Sequence, residues 1–537
     1  NFASLGDAVV NYTSIVQLKN GQIRGSVIDA GDGLQVEFYE AIKFGKADRF
    51  KKPSPVNSWT GVYNATSAGK NCIQFRIPSN DSTASEDCLF LNVWKKSGFS
   101  GSSHLLPVMV WIYGGAFVVG GIFGDYDARY IASLGDVIVV TFNYRLGPLG
   151  FLTDGQSDSV PPNLGLHDQV LALKWVQENI AGFNGDPQLV TIFGESAGAQ
   201  SVGALVVSPL AKGLFKRAIA QSGSPSVNFT VITKEQAVER TKVYGKKLNC
   251  TSIQLEEVVK CISRKSVAQL QAATLTDMPT YELFFPVYGA DELLPLHPSA
   301  ALLQNGSSST GFHQIDYMYG FTRDEGSFFL LQKFPELALA TTRLTVNSTR
   351  QYITQMMASD GRSERVGEEV AHFYHRHLLP PSPTQEQLRS MLVSVWSDSL
   401  MVCPSMLFGE QLARAHSRSA SALGKVFAYR LMQSGPVGAA LPAWIGVPHG
   451  ADLYYLFQYG KTRSVQADND LARYMIKSWT SFARTGQPNS GNWLEAVNRR
   501  DGDFFTKYMH LEMNHFKMVQ NEYFRSVCQF WRKYIFD

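Results

Sequence analysis

Leu189-Val190-Thr191-Ile192-Phe193-Gly194-Glu195-Ser196-Ala197-Gly198 is the stretch on which the fold turns. Its first five residues are apolar or β-branched without a break, the pattern of a strand buried on both faces. Residues 197–207 can follow as a short apolar helix. Between the two stands a G-x-S-x-G. Small residues on either side let the backbone reverse without a Cβ clash and lift Ser196 clear of its sheet. The helix N-terminus behind it favours developing negative charge. Five residues of this kind also occur in ordinary Gly-Ser turns. The strand before and the helix after mark Ser196 as a candidate nucleophile.

Similar apolar runs recur at 107–113, 137–142, 217–221, 315–321 and 426–431. Helical patterns separate them, such as 166–180, where Leu171, Leu173, Trp175 and Val176 form part of an apolar stripe. Such alternation predicts a large, mostly parallel sheet flanked by helices. Residues 22–44 alternate more strongly and read as antiparallel. The Ser/Gly clusters at 98–103 and 305–311 read as surface loops, and nothing resembles a linker or an internal repeat. The expectation is one α/β domain over 1–537.

A net charge of +3 over 537 residues, without a basic run, argues against nucleic acid or an acidic membrane surface as partner. No stretch of 18 uninterrupted apolar residues predicts a membrane span. A start at Asn1, with neither Met nor a leader-like apolar segment, reads as a processed chain or a trimmed one. Six cysteines, Cys72, Cys88, Cys250, Cys261, Cys403 and Cys528, suit three disulfides. N-glycosylation sequons at Asn11, Asn64, Asn80, Asn228, Asn249, Asn305 and Asn347 favour secretion over a cytosolic set of free thiols. His372, His375 and His377 have no acidic or Cys cluster beside them and read as exposed residues of a polar helix end. No metal or organic cofactor motif is present in the sequence.

A serine nucleophile needs a base, an orienting acid and donors for an oxyanion. The strand-like Trp111-Ile112-Tyr113 runs into Gly114-Gly115-Ala116-Phe117. There the amides of Gly115 and Ala116, with that of Ala197, can converge on one oxygen. His449, in Gly446-Val447-Pro448-His449-Gly450-Ala451-Asp452, is held in a loop by Gly and Pro and is the candidate base. With an ordinary pKa of about 6.5 it predicts turnover rising through roughly pH 6–7. Chain order asks for the acid between serine and histidine. Asp324 and Glu325 both qualify, and residue chemistry leaves that choice open.

Taken together, these motifs resemble the type-B carboxylesterase/cholinesterase family of the α/β-hydrolase fold. The likeness covers nearly the whole chain and includes Arg49-Phe50-Lys51-Lys52-Pro53, Ser85-Glu86-Asp87-Cys88-Leu89-Phe90-Leu91-Asn92-Val93, Asn143-Tyr144-Arg145-Leu146-Gly147, Gln221-Ser222-Gly223-Ser224-Pro225 and Asp324-Glu325-Gly326-Ser327. The resemblance implies Glu325 as the acid and Gly115, Ala116 and Ala197 as the oxyanion hole. It implies the pairings Cys72–Cys88, Cys250–Cys261 and Cys403–Cys528. It gives supporting places to Glu195, before the nucleophile, and Ser222, near the acid. Pro78 stands where cholinesterases hold a cation-facing tryptophan, and Thr280 and Glu282 fall where they hold acyl-pocket phenylalanines. Phe328 matches an aromatic of the cation site but reads equally well as core. Ala41-Ile42-Lys43-Phe44-Gly45 replaces the family's Gly-Ile-Pro-Tyr-Ala.

The resemblance thus implies a secreted serine hydrolase acting on a small-molecule or lipid ester, with a general carboxylesterase ahead of a lipase and a cholinesterase third. A non-catalytic binding or scavenging member of the same fold is the alternative. A binding member that has lost catalysis lacks the serine, the acid or the histidine, and here all three stand in sequence.

Overall fold

The computed structural model describes residues 11–75, 82–98, 104–124, 126–156, 159–227, 230–275, 283–304, 311–339, 341–418, 424–436, 441–457, 466–489, 493–496 and 507–536. Pro78, Asn80, Asn228, Thr280, Glu282 and Asn305 lie outside them, as do parts of the 98–103 and 305–311 loops.

Eleven strands among the described residues form one twisted sheet. In chain order they are β1 (Ser26–Asp29), β2 (Gln35–Lys43), β3 (Phe90–Lys96), β4 (Leu106–Ile112), β5 (Ile138–Phe142), β6 (Gly185–Glu195), β7 (Arg217–Gln221), β8 (Asp316–Thr322), β9 (Val426–Leu431), β10 (Lys507–Leu511) and β11 (Lys517–Gln520). Their spatial order is β11-β10-β9-β8-β7-β6-β4-β5-β3-β2-β1. From β5 through β4 to β10 every neighbour is parallel, and antiparallel strands close both edges. This is the α/β-hydrolase fold. Every residue of β4, β5 and β7 is buried, so both faces are covered, and that is why these strands read as unbroken apolar runs.

Helices surround this sheet, among them α1 (Leu164–Asn179), α2 (Ala197–Val206), α3 (Gly326–Lys333), α4 (Glu364–Leu378), α5 (Gln385–Trp396), α6 (Cys403–Arg418), α7 (Ala451–Phe457) and α8 (Gln466–Thr485). A π-helical turn, Ser397–Val402, joins α5 to α6. The continuous run Gln385–Arg418 is long and apolar enough to cross a membrane, but 94% of its most apolar window is buried inside the protein. It is a core helix.

On α4, His372 and His377 are exposed, whereas His375 is half-buried and its Nε2 lies 3.0 Å from Thr349 Oγ1. Burial of that one ring departs from the expectation of three exposed histidines.

Cys72 is bonded to Cys88, Cys250 to Cys261 and Cys403 to Cys528. Asn11, Asn64, Asn249 and Asn347, the sequon residues within the described chain, are all exposed.

The altered segment 41–45 sits at an irregularity in the β2–β3 pairing, between Leu91 and Val93. Ala41 adopts φ 57°, where glycine is at ease and a Cβ is strained. Asn92 Oδ1 accepts its amide at 2.9 Å, and its carbonyl accepts Tyr63 O–H at 2.9 Å.

Candidate active site

Ser196 stands where β6 ends and α2 begins, with φ 57° and ψ −122°. A non-glycine residue there is strained by on the order of 1–3 kcal/mol. The surrounding glycines are needed because the turn is crowded. A Cβ on Gly194 would lie 2.6 Å from Ile112 O, one on Gly198 2.0 Å from the same oxygen, and one on Gly223 2.4 Å from Ser196 O. Ser196 N–H donates to Gln221 O at 2.9 Å, which ties the elbow to the next strand. Its neighbours Glu195 and Ala197 are buried while Ser196 is half-exposed, so the turn presents the hydroxyl.

The loop after β4 comes up beside it. A Cβ on Gly114 would sit 3.0 Å from Ser196 Cβ. Gly115 has φ 105° and Ala116 φ 54°. Among the described residues neither amide donates to a protein acceptor. Two tyrosines anchor the loop. Tyr113 O–H donates to Tyr144 O and Tyr144 O–H to Tyr113 O, each at 2.8 Å. Tyr144 is held in turn by its neighbour Arg145, which pairs two-pronged with Asp168 of α1 at 2.8 Å on both arms, fully out of water on the carboxylate side.

Of the two acidic candidates, Glu325 is the one that faces His449. Glu325 is fully buried, and its Oε2 lies 2.6 Å from His449 Nδ1. Its Oε1 accepts Ser222 O–H at 2.5 Å and Thr322 N–H at 2.6 Å. Asp324 turns the other way and accepts Val447 N–H at 2.8 Å and Arg323 Nε–H at 2.7 Å.

The other ring nitrogen of His449 lies 3.1 Å from Glu195 Oε1. Among the described residues it makes no hydrogen bond to Ser196 Oγ, and Glu195 Oε1 accepts none. Behind these groups lies a third buried acid. Asp452 Oδ2 accepts Gln221 Nε2–H at 2.8 Å and Tyr429 O–H at 3.0 Å, and Gln221 Oε1 accepts Trp479 Nε1–H at 2.9 Å.

Three carboxyl groups around one imidazole set the electrostatics. Burial pushes Glu195 up to about 8; His449 pulls it down, and Asp452 and Glu325 push it further up. Burial works against the His449 cation, but the charges of Glu195 and Glu325 and the Glu325 hydrogen bond outweigh it and lift His449 to about 9. A protonated Glu195 carries no charge, so the lift on His449 belongs to the cluster as a whole. This shifts the expected titration of the candidate base above the pH 6–7 of an ordinary imidazole. Asp452 is raised by burial.

Phe328 is 42% exposed, with its ring centroid 6.3 Å from that of His449; Phe329 lies closer, at 4.9 Å. Phe328 is thus a site-facing ring and not core. Gln221 and Asp452 stand in stretches already singled out in the sequence, but nothing there joined them to each other or to Tyr429 and Trp479.

The chain matches the family described as "Carboxylesterase family" over residues 12–531. It is 34% identical over 477 residues to the bile salt-activated lipase of Rattus norvegicus, covering 86% of this chain and 75% of that protein. It is 31% identical over 549 residues to the acetylcholinesterase of Bungarus fasciatus, covering 97% of this chain and 86% of that protein. With the hydrolase sheet and a serine elbow beside a buried acid–histidine pair, this match over nearly the full length establishes that the chain belongs to the carboxylesterase family of carboxylic ester hydrolases.

Proposed function

We propose that this chain, as one domain over 1–537, is a secreted, N-glycosylated serine esterase that works through Ser196, His449 and Glu325. The observation that carries the reading is the hydrogen-bonded line Ser222–Glu325–His449, which ends beside a strained, presented Ser196. Glu325 fixes the Nδ1–H tautomer and stabilises the imidazolium. The ring turns its Nε2 from Glu195 to Ser196 Oγ, a tightening expected on substrate binding. Oγ gives its proton to Nε2 and attacks the ester carbonyl. The amides of Gly115, Ala116 and Ala197 take the oxyanion. The imidazolium returns the proton to the leaving alcohol, and water activated by the same ring releases the acid. Glu195 is a supporting charge next to Nε2, and Ser222 braces the acid.

The substrate reading is a general carboxylesterase. A lipase acting on long acyl chains is the second reading, favoured by the likeness to bile salt-activated lipases. An acyl-chain series of p-nitrophenyl esters, with and without micelles, separates them. A kcat/KM that peaks at short chains and ignores micelles supports the first. A rise toward long chains with micellar activation supports the second. No turnover of any ester would sink both.

A further inference from the structure

We propose that Asp324 is a positioning residue that holds the His449 loop in register with Glu325, an inference that rests on the triad reading above. Asp324 and Val447 are joined twice. Asp324 N–H donates to Val447 O at 3.0 Å, and Val447 N–H donates to Asp324 Oδ2 at 2.8 Å. Ser327 Oγ lies between the same two loops, 2.7 Å from Asp324 O and 2.8 Å from Ile445 O. Gly446 has φ 62°, and a Cβ there would lie 2.0 Å from Asp324 Oδ2. The carboxylate therefore reaches the loop only because residue 446 has no side chain.

Val447 is fully buried, so its amide has no water to turn to if Oδ2 is removed. The next residue, Pro448, has a fixed φ and no N–H to re-anchor the loop. The direction set at Val447 is thus handed on to His449. One carboxyl, Glu325, holds the imidazole; its chain neighbour holds the backbone that carries the imidazole.

The test uses the full chain and a short-chain p-nitrophenyl ester, with folded enzyme counted by circular dichroism and melting. D324A is expected to lower kcat by about 10–100-fold, the scale of a displacement near 1 Å in the catalytic groups. KM should stay within about threefold. Labelling of Ser196 by an organophosphate should slow in parallel, since it uses the same base. D324N should recover most of the loss, because an amide oxygen still accepts Val447 N–H; it could not do so if Asp324 were the ionised acid of the triad. R323A, which removes the ion pair and leaves that acceptor, should leave kcat unchanged. Unaltered kcat per folded molecule in D324A overturns the proposal, and so does a D324N as impaired as D324A. If D324A does not accumulate folded, D324E keeps the charge and moves it by one methylene; kcat should fall there too, and an unchanged kcat overturns the proposal. H449A serves as the reference. Full turnover by H449A sinks the triad reading itself, whereas an inactive H449A beside a fully active D324A sinks only the role of Asp324.

Discussion

Glu195→Gln is expected to move the pH dependence of turnover downward. His449 stands at about 9 against an ordinary 6.5. That is about 2.5 pH units, on the order of 3 kcal/mol. Burial opposes this lift, so the neighbouring carboxylates supply all of it, with Glu195 at 3.1 Å from Nε2 and Glu325 at 2.6 Å from Nδ1. A base must lose its proton to act, so a raised value places the acid limb of kcat/KM on the alkaline side of an ordinary histidine. Glutamine keeps the shape of Glu195 and carries no charge. Glu325 still holds its share of the lift, so the midpoint should drop by about 1 pH unit rather than the full 2.5. The assay is kcat/KM from pH 5.5 to 10 on a neutral p-nitrophenyl ester, read as the midpoint of the limb and not its plateau. A wild-type midpoint at or below 6.5, or a midpoint unmoved by the substitution, would refute the reasoning.

The same cluster makes stability pH-dependent. His449 and Glu195 are both raised, so each contributes stability at low pH that is lost as pH climbs, for Glu195 through about 8 and for His449 through about 9. Wild type should therefore lose melting temperature between roughly pH 6.5 and 9 and Glu195→Gln lose less; equal slopes would reject the linkage. Ala41→Gly relieves a left-handed alanine and should gain about 1 kcal/mol in chemical unfolding, against a loss if the methyl's packing dominates. Ser222→Ala leaves Glu325 Oε1 one donor short and should cost about 1–3 kcal/mol with a roughly tenfold lower kcat; wild-type rates would remove Ser222 from the site. Replacing both Cys403 and Cys528 by serine opens a loop of 125 residues and should cost up to about 5 kcal/mol on the chain-entropy picture, with unchanged unfolding as the contrary result.

The sheet was legible where both faces of a strand are buried. β7 and β9 end at the residues their apolar runs mark, and β6 extends the run before Ser196 at both ends. The last two strands, β10 and β11, were not read, because short strands with partly exposed residues carry mixed side chains. Ser196 was legible because its turn imposes glycine, and His449 because Pro and Gly fix a loop. The choice between Asp324 and Glu325 was not legible in residue chemistry, and only the resemblance pointed to Glu325. Adjacent side chains leave the backbone in different directions, and which one meets the histidine depends on a loop 124 residues away. The proximity of Glu195 to Nε2 and the Gln221–Asp452–Tyr429 network were hidden for the same reason, with Gln221 and Asp452 lying 231 residues apart. Ala41 had no explanation in sequence; its positive φ accounts for the glycine the family keeps there, though not for its replacement here.

The most direct measurement is covalent labelling. An organophosphate incubated with the folded enzyme should add one phosphoryl group, found by peptide mass spectrometry on Ser196, with ester turnover falling in step with labelling. Ser196→Ala should take up no label and lose turnover. A label on any other residue, or full ester turnover by Ser196→Ala, would contradict the assignment of Ser196 as the nucleophile.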